Sequence, residues 1–319
     1  MKSKTKIKVL LLAVLLITVF TVGCNKGPEI TESKDKVDVS DNSFPLTLND
    51  QIGREVTIEK LPERIVSLAP SNTEILFALG LGDKVVGVTD YCDYPEEVKT
   101  IDKVGGYSEP NIEKIISLKP DLILATEIHQ KPVEELEKLG VTSVVVEPEN
   151  FDEVFASIEI IGKATGRHNE AEALVNDLKA RVKKVEDMVA NIPEDERPKV
   201  LYELWHSPIT TAGPGTFVDD IIQRAGGDNI AKDANKEYPQ YSQEMIVAKN
   251  PDIIIFSHHG TTGATVEDIL QRPGWNSINA VKNKKVYYVD ENLVQRTTPR
   301  LVDGLEEFLK IIHPELFEN

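Results

Sequence analysis

Four of the six histidines, and several large aromatic residues, stand just past short apolar runs of this chain. Tyr91 follows the run 84–89, and Tyr107 sits in the loop after it. Thr126 to His129 follow the run 121–126, Trp205 and His206 follow 199–204, and His258 and His259 follow 252–257. Tyr238 lies in a loop before a helical pattern, and Arg296 lies after the last apolar run, 285–289. If these runs are strands of open parallel sheets, their carboxyl ends form a rim of the kind where such sheets bind ligands. Aromatic faces supply contact area and a few polar groups fix orientation, so the set suits a bulky, flat, partly apolar ligand. His258-His259 has sharper readings: an axial ligand to cobalt or haem iron, or part of a divalent-metal site. Adjacent residues of an extended chain point opposite ways, so both could not easily hold one ion. Rim polarity is the simpler role, and no metal site is assigned. A zinc or manganese site would need three or four converging ligands, for which His129, His206 and His258 are the available histidines.

Catalytic patterns are missing. Gly213-Pro-Gly215 lacks the Lys-Ser/Thr of a phosphate loop. There is no Gly-x-Ser-x-Gly elbow, no His-Glu-x-x-His and no Cys-x-x-Cys. An enzyme on an α/β sheet is therefore the weakest alternative, and no catalytic residue is assigned.

The elements that must carry the rim are legible as alternation. Apolar runs at 64–69, 84–89, 121–126 and 141–146 alternate with helical patterns at 74–80, 112–118 and 133–139. This predicts a parallel sheet covered on both faces. A second half repeats the plan, with strands at 199–204, 252–257 and 285–289 and helices at 217–224, 243–248 and 300–312. The sharpest internal echo sets Asn111-Ile-Glu-Lys-Ile-Ile-Ser-Leu-Lys-Pro-Asp-Leu-Ile-Leu124 against Ser242-Gln-Glu-Met-Ile-Val-Ala-Lys-Asn-Pro-Asp-Ile-Ile-Ile255. Between the halves, Ala173, Leu174, Leu178, Val182, Val185 and Met188 recur at helical spacing among charges. They predict one amphipathic helix of about six turns. The fold expected is α/β: two similar parallel-sheet lobes, at 44–168 and 193–319, joined by one long rigid helix at 169–192, with a ligand cleft between them.

The chain has 319 residues, 40% hydrophobic and 28% charged, with 36 Lys+Arg against 53 Asp+Glu. Residues 1–23 hold four lysines and no acid, so the remainder carries 32 bases against 53 acids, a net −21. So acidic a body is a poor non-specific partner for nucleic acid. The apolar run Val9 to Gly23 is short for a membrane span of ~30 Å but suits a signal peptide. Thr21-Val22-Gly23-Cys24 resembles the lipobox of bacterial lipoproteins, which implies that Cys24 is lipidated and becomes the first residue. Residues 25–43 are polar and would form a flexible tether within a lipidated segment, 24–43. With Cys24 lipidated, Cys92 stands alone and no intramolecular disulfide can form.

About residues 44–315 resemble the solute-binding proteins of ABC importers that take up metal chelates, most closely the vitamin B12-binding branch beside the siderophore and haem binders. The resemblance rests on Ser67-Leu-Ala-Pro-Ser-Asn-Thr-Glu74, Val86-Gly-Val-Thr-Asp-Tyr-Cys-Asp-Tyr-Pro95, Val104-Gly-Gly-Tyr107, Asn111-Ile-Glu113, Leu118-Lys-Pro-Asp121, Tyr238-Pro-Gln240, Ser242-Gln-Glu244 and Arg296-Thr-Thr-Pro-Arg300, in that order. It implies no catalysis: a corrinoid or other chelate is captured outside the cell membrane and handed to a permease dimer. It implies Tyr91, Tyr107 and Tyr238 as cleft aromatics and Arg296 as a polar contact; Trp205 and His258 join them as ligand-binding candidates from their places at the strand ends. It also implies that Glu113 and Glu244, one on each lobe, dock onto arginines of the two-fold permease. A monomer can answer a two-fold partner because the repeat supplies a quasi-two-fold pair of acids. Near helix N-termini, the same carboxylates also act as simple dipole partners. Glu74 is read as a helix N-terminal acid.

Overall fold

The computed structural model describes residues 43–257 and 264–317. The expected leader, Cys24, the tether and His258-His259 lie outside the described residues. In chain order the strands are β1 (Leu46–Asn49), β2 (Glu55–Ile58), β3 (Ile65–Ser67), β4 (Val85–Val88), β5 (Leu122–Ala125), β6 (Thr142–Val145), β7 (Lys199–Glu203), β8 (Trp205–His206), β9 (Ile209–Thr210), β10 (Asp228–Asn229), β11 (Ile253–Phe256) and β12 (Val286–Tyr288). The α-helices are α1 (Pro70–Ala78), α2 (Ile112–Ser117), α3 (Gln130–Lys138), α4 (Phe151–Ala164), α5 (His168–Val189), α6 (Phe217–Arg224), α7 (Gln243–Lys249), α8 (Val266–Leu270), α9 (Asn279–Lys282), α10 (Glu291–Val294) and α11 (Leu301–Ile312).

Two four-stranded parallel sheets result, ordered β4-β3-β5-β6 and β10-β7-β11-β12. Within each sheet the second strand in sequence lies at the edge, then the first, the third and the fourth. The two lobes thus share one topology. The central strands are apolar throughout because both faces are covered. In β5, Leu122 and Leu124 face one apolar cluster while Ile123 and Ala125 face another. In β11, Ile253 and Ile255 share the first of these clusters, while Ile254 and Phe256 face a third.

The sequence echo has a structural cause. Asn111 caps α2 by accepting from the Lys114 N–H (2.9 Å), and Ser242 caps α7 by accepting from the Met245 N–H (3.2 Å). After each helix one residue enters the left-handed region, Lys119 at φ 50° and Asn250 at φ 47°. The Pro-Asp that follows ties adjacent strands together. Asp121 accepts the Arg64 N–H (2.9 Å) at the start of β3, and Asp252 accepts the Lys199 N–H (3.0 Å) at the start of β7. The shared Pro-Asp therefore sets strand register twice over.

The long helix α5 buries Ala171, Val175, Leu178, Val182, Val185 and Val189 on one face. This stripe differs from the one read in sequence. Ala173 is exposed and Met188 half-buried, because Val175 and Val189 continue the three-and-four spacing and Ala173 falls off it. α5 packs against α4 on one side and α11 on the other. Arg181 on α5 donates to Glu306 (2.9 and 2.8 Å) and to Asp303 (2.6 Å) of α11. A single apolar cluster runs without a break from Ile65 and Leu122 through α5 to Val200 and Ile253. The lobes are thus fused along their inner faces by a common core. Sequence periodicity missed the β1–β2 hairpin, where β1 alternates exposed with partly buried positions and β2 exposed with buried ones, and the helix α4.

Candidate functional site

A cleft of about 740 Å³ opens between the lobes. Its described lining comes from the start of α1 (Ala69, Pro70, Ser71), from Tyr91 after β4, from Gly106 to Glu109 before α2, and from Gln295 to Thr297 after α10. Tyr91 and Tyr107 of the first lobe and Arg296 of the second are thus brought together on one cleft. Trp205 and Tyr238 are not among this described lining. Trp205 starts the β8–β9 hairpin and donates its Nε1–H to the Ser207 carbonyl (3.0 Å). Tyr238 lines a separate groove of about 730 Å³ with Tyr241, Met245 and Lys249. The segment after Tyr238 pairs with β9, since Thr211 N–H donates to the Pro239 carbonyl (3.1 Å). Both aromatics therefore sit on one end of the second lobe.

The Tyr91 ring is 63% exposed, offering its face to the cleft. Tyr107 is held more firmly. Its carbonyl accepts from His129 Nε2 (2.6 Å), its hydroxyl bonds Thr126 Oγ1 (3.1 Å), and its ring meets the His129 ring edge-on, centroids 5.1 Å apart. The Thr126 N–H donates to His129 Nδ1 (3.1 Å), which leaves the ring proton on Nε2. His129 is thereby a fully buried neutral support for Tyr107, both of its nitrogens already engaged. Burial pushes its pKa below the usual histidine value, against the opposing hydrogen bonds to Tyr107 and Thr126. Among the described residues, no group of three His, Cys, Asp or Glu side chains is placed to hold a metal ion.

Arg296 is not a free cation. It donates Nη1–H to Asp93 (2.6 Å) and reaches Glu74 (3.3 Å). Arg300, four residues on at the start of α11, grips the same Glu74 through Nε (2.8 Å) and Nη2 (2.7 Å), and stacks on the Tyr94 ring with its carbon 3.8 Å from the centroid. Glu74 is 2% exposed, whereas Asp93 is 52% exposed. Burial raises the pKa of Asp93, but the hydrogen bond and charge of Arg296 outweigh it and hold the carboxyl below its ordinary value. This corrects the reading of Glu74. It stands in the second turn of α1, whose first turn carries no acid, and it bridges the lobes instead of capping a helix. Composition could not show this, because the partners lie more than 220 residues away.

A second ion pair sits at the end of β7, where the buried Glu203 accepts from both terminal nitrogens of Arg272 (2.6 and 2.8 Å) and Arg272 covers Trp275. Sequence reading missed it, having no signal that a loop arginine would return to that strand. Glu113 and Glu244 are both exposed at the second position of their helices. The Glu244 carboxyl is held below its ordinary value by its own backbone N–H and by the Ser242 hydroxyl.

The fold and cleft are those of a two-lobed solute-binding protein. The model of the periplasmic binding protein family matches residues 65–293. An ABC transporter substrate-binding lipoprotein of Bacillus subtilis is 41% identical over 313 residues, covering 96% of this chain and 97% of that protein. A vitamin B12-binding protein of Vibrio cholerae is 33% identical over 254 residues, 78% of this chain and 90% of that one. The crystal structure of a possible iron-binding periplasmic solute-binding protein from Staphylococcus epidermidis superposes with a TM-score of 0.69 at 36% identity, covering 80% of this chain and all of that one. The chain belongs to the periplasmic binding protein family, as a non-enzymatic substrate-binding component of ABC transporters within the B12, siderophore and haem group.

Two consequences are measurable. Glu74→Ala leaves two guanidiniums facing each other without their shared acceptor and lowers stability by about 3 kcal/mol, read from urea unfolding. A loss under about 1 kcal/mol would rank the cluster with ordinary surface bridges. For His129 the native pKa lies below the unfolded value of about 6.5, so the unfolded chain takes up the proton first. Its stabilising contribution is complete above that value and is lost as pH falls below it. His129→Gln therefore flattens the decline in unfolding free energy between pH 7.5 and 5; an identical slope would refute the buried neutral state.

Proposed function

We propose that the protein captures a corrinoid in the interlobe cleft and delivers it to a two-fold ABC permease. The observation that carries this is the cleft's combination of tyrosine faces with a neutralised arginine. Two guanidiniums, Arg296 and Arg300, pair with two carboxylates, Glu74 and Asp93, and a third carboxylate, Glu109, stands on the described lining. A ligand rich in carboxylates would be desolvated there without a free cation, at high cost. A corrin ring edged with amides meets hydrogen-bonding groups and aromatic area instead. The V. cholerae relative, named for vitamin B12, supports the same ligand. The iron-binding description of the S. epidermidis structure favours a second reading, an iron chelate (ferric siderophore or haem) in the same cleft.

Tyr91 and Tyr107 form the first-lobe wall. Trp205 and Tyr238 of the second lobe, outside the described lining, and His258, outside the described residues, are the further ligand contacts of this reading. Tyr238 has support from the repeat: Tyr107 stands six residues before Glu113, and Tyr238 six residues before Glu244. The two exposed glutamates dock onto the permease, one per lobe, from a monomeric protein with lobes at 44–168 and 193–319 and its linking helix at 169–192. Lipid on Cys24 anchors it at the outer face of the cell membrane, as the lipoprotein relative suggests.

Spectral titration with cyanocobalamin tests the ligand: saturable binding that Tyr107→Ala weakens at least tenfold is expected, and retention of haemin or a ferric siderophore alone would install the second reading. Glu113→Ala combined with Glu244→Ala should leave that affinity within about twofold while abolishing uptake by cells. Normal uptake would remove the docking role.

A further inference from the structure

We propose that Asp93 is a specificity-determining residue, which excludes carboxylate-bearing chelates by pairing both terminal nitrogens of Arg296. This rests on the corrinoid reading above. Arg296 lines the cleft and is the only cation among its described lining residues. A guanidinium so placed is well suited to take a ligand carboxylate in a two-pronged, charge-assisted grip. Two acids prevent that grip, and they are not equivalent. Glu74 is buried and spends both oxygens on Arg300, reaching Arg296 only at 3.3 Å. Asp93 engages both terminal nitrogens of Arg296, at 2.6 and 3.3 Å, and is itself half-exposed. Glu74 thus fixes where Arg296 stands, while Asp93 decides whether its charge is available. Removing the Asp93 charge takes the cluster of Arg296, Arg300, Glu74 and Asp93 from neutral to a net single positive charge, while Glu109 on the described lining stays the same in both proteins. No other described cation lines the cleft to blur that change.

The position of Asp93 suits this role. It follows Tyr91 after β4, in a segment held by the Cys92 carbonyl accepting from Lys103 Nζ (2.9 Å). Its neighbour Tyr94 carries the Arg300 stack. The aromatic face offered to the ligand and the charge withheld from it are therefore two residues apart on one pinned loop.

Haemin and haemin dimethyl ester separate the charge from the ring, since they share iron and macrocycle and differ in two carboxylates. Both, with cyanocobalamin, are titrated into the wild type and into Asp93→Asn. Asp93→Asn should raise the haemin-to-ester affinity ratio about tenfold, the worth of one charge-assisted contact, and change cyanocobalamin affinity by less than about threefold. Adding Arg296→Gln should abolish the gain. Asp93→Ser, which is not isosteric, should move the ratio in the same direction. An unchanged ratio, opposite signs in the two variants, or haemin binding to none of the proteins overturns the role of Asp93. Failure of the wild type to bind cyanocobalamin overturns the corrinoid reading instead, while the haemin-to-ester ratio still judges Asp93.

Discussion

One buried carboxylate governs the geometry of the cleft. Glu74 belongs to the first lobe, and the two arginines that share it belong to the second. Without an anion between them, two neighbouring guanidiniums would repel with an energy on the order of several kcal/mol in a partly buried setting. With it, Arg300 is locked in a two-pronged grip and sandwiched against Tyr94, and Arg296 is left projecting into the cleft. Burying such a cluster adds little to net stability by itself, because desolvation offsets most of the attraction. What it secures is a register between lobes. A slide of a few ångströms would strand a charge with no water to meet it.

The register is reinforced elsewhere by non-directional forces. The core that passes through α5 belongs to both lobes at once, so opening the cleft widely would expose Val175, Leu178 and Val182. Arg181 ties the same helix to α11, and Phe151 of the first lobe meets Phe217 of the second with ring centroids 6.4 Å apart. Apolar contact along α5 and the Glu74 cluster both resist separation of the lobes. The cleft is therefore largely preformed, which lowers the ordering cost of taking up a large rigid ring.

Periodicity and junction chemistry carried most of the fold in the sequence. The central strands β5 and β11 were legible because doubly covered strands are unbroken apolar runs, and α5 because one face repeats over 22 residues. The hairpin β1–β2 and the two-residue strands β8, β9 and β10 were not, since their pairing depends on partners that the local sequence does not name. Among the site residues, position along the chain located Tyr91, Tyr107 and Arg296 at the cleft. It could not reveal that Arg296 is neutralised, that His129 is sealed behind Tyr107, or that Glu74 reaches across the lobes. Charge pairing over more than 200 residues leaves no periodic trace.

The repeat explains more than an ancestral duplication would require. Sheet order, helix cap, left-handed residue and strand-tying aspartate recur because each solves the same local problem of returning a chain from helix to central strand. The tyrosine six residues before each helix glutamate solves no such folding problem. Tyr107 is half-buried and bonded, while Tyr238 is exposed, so the two do not pack alike. What they share is a place on the segment that enters α2 or α7, each a short capped helix with its acid facing solvent. Under the proposed function, ligand contact and permease contact then lie on one continuous stretch in each lobe.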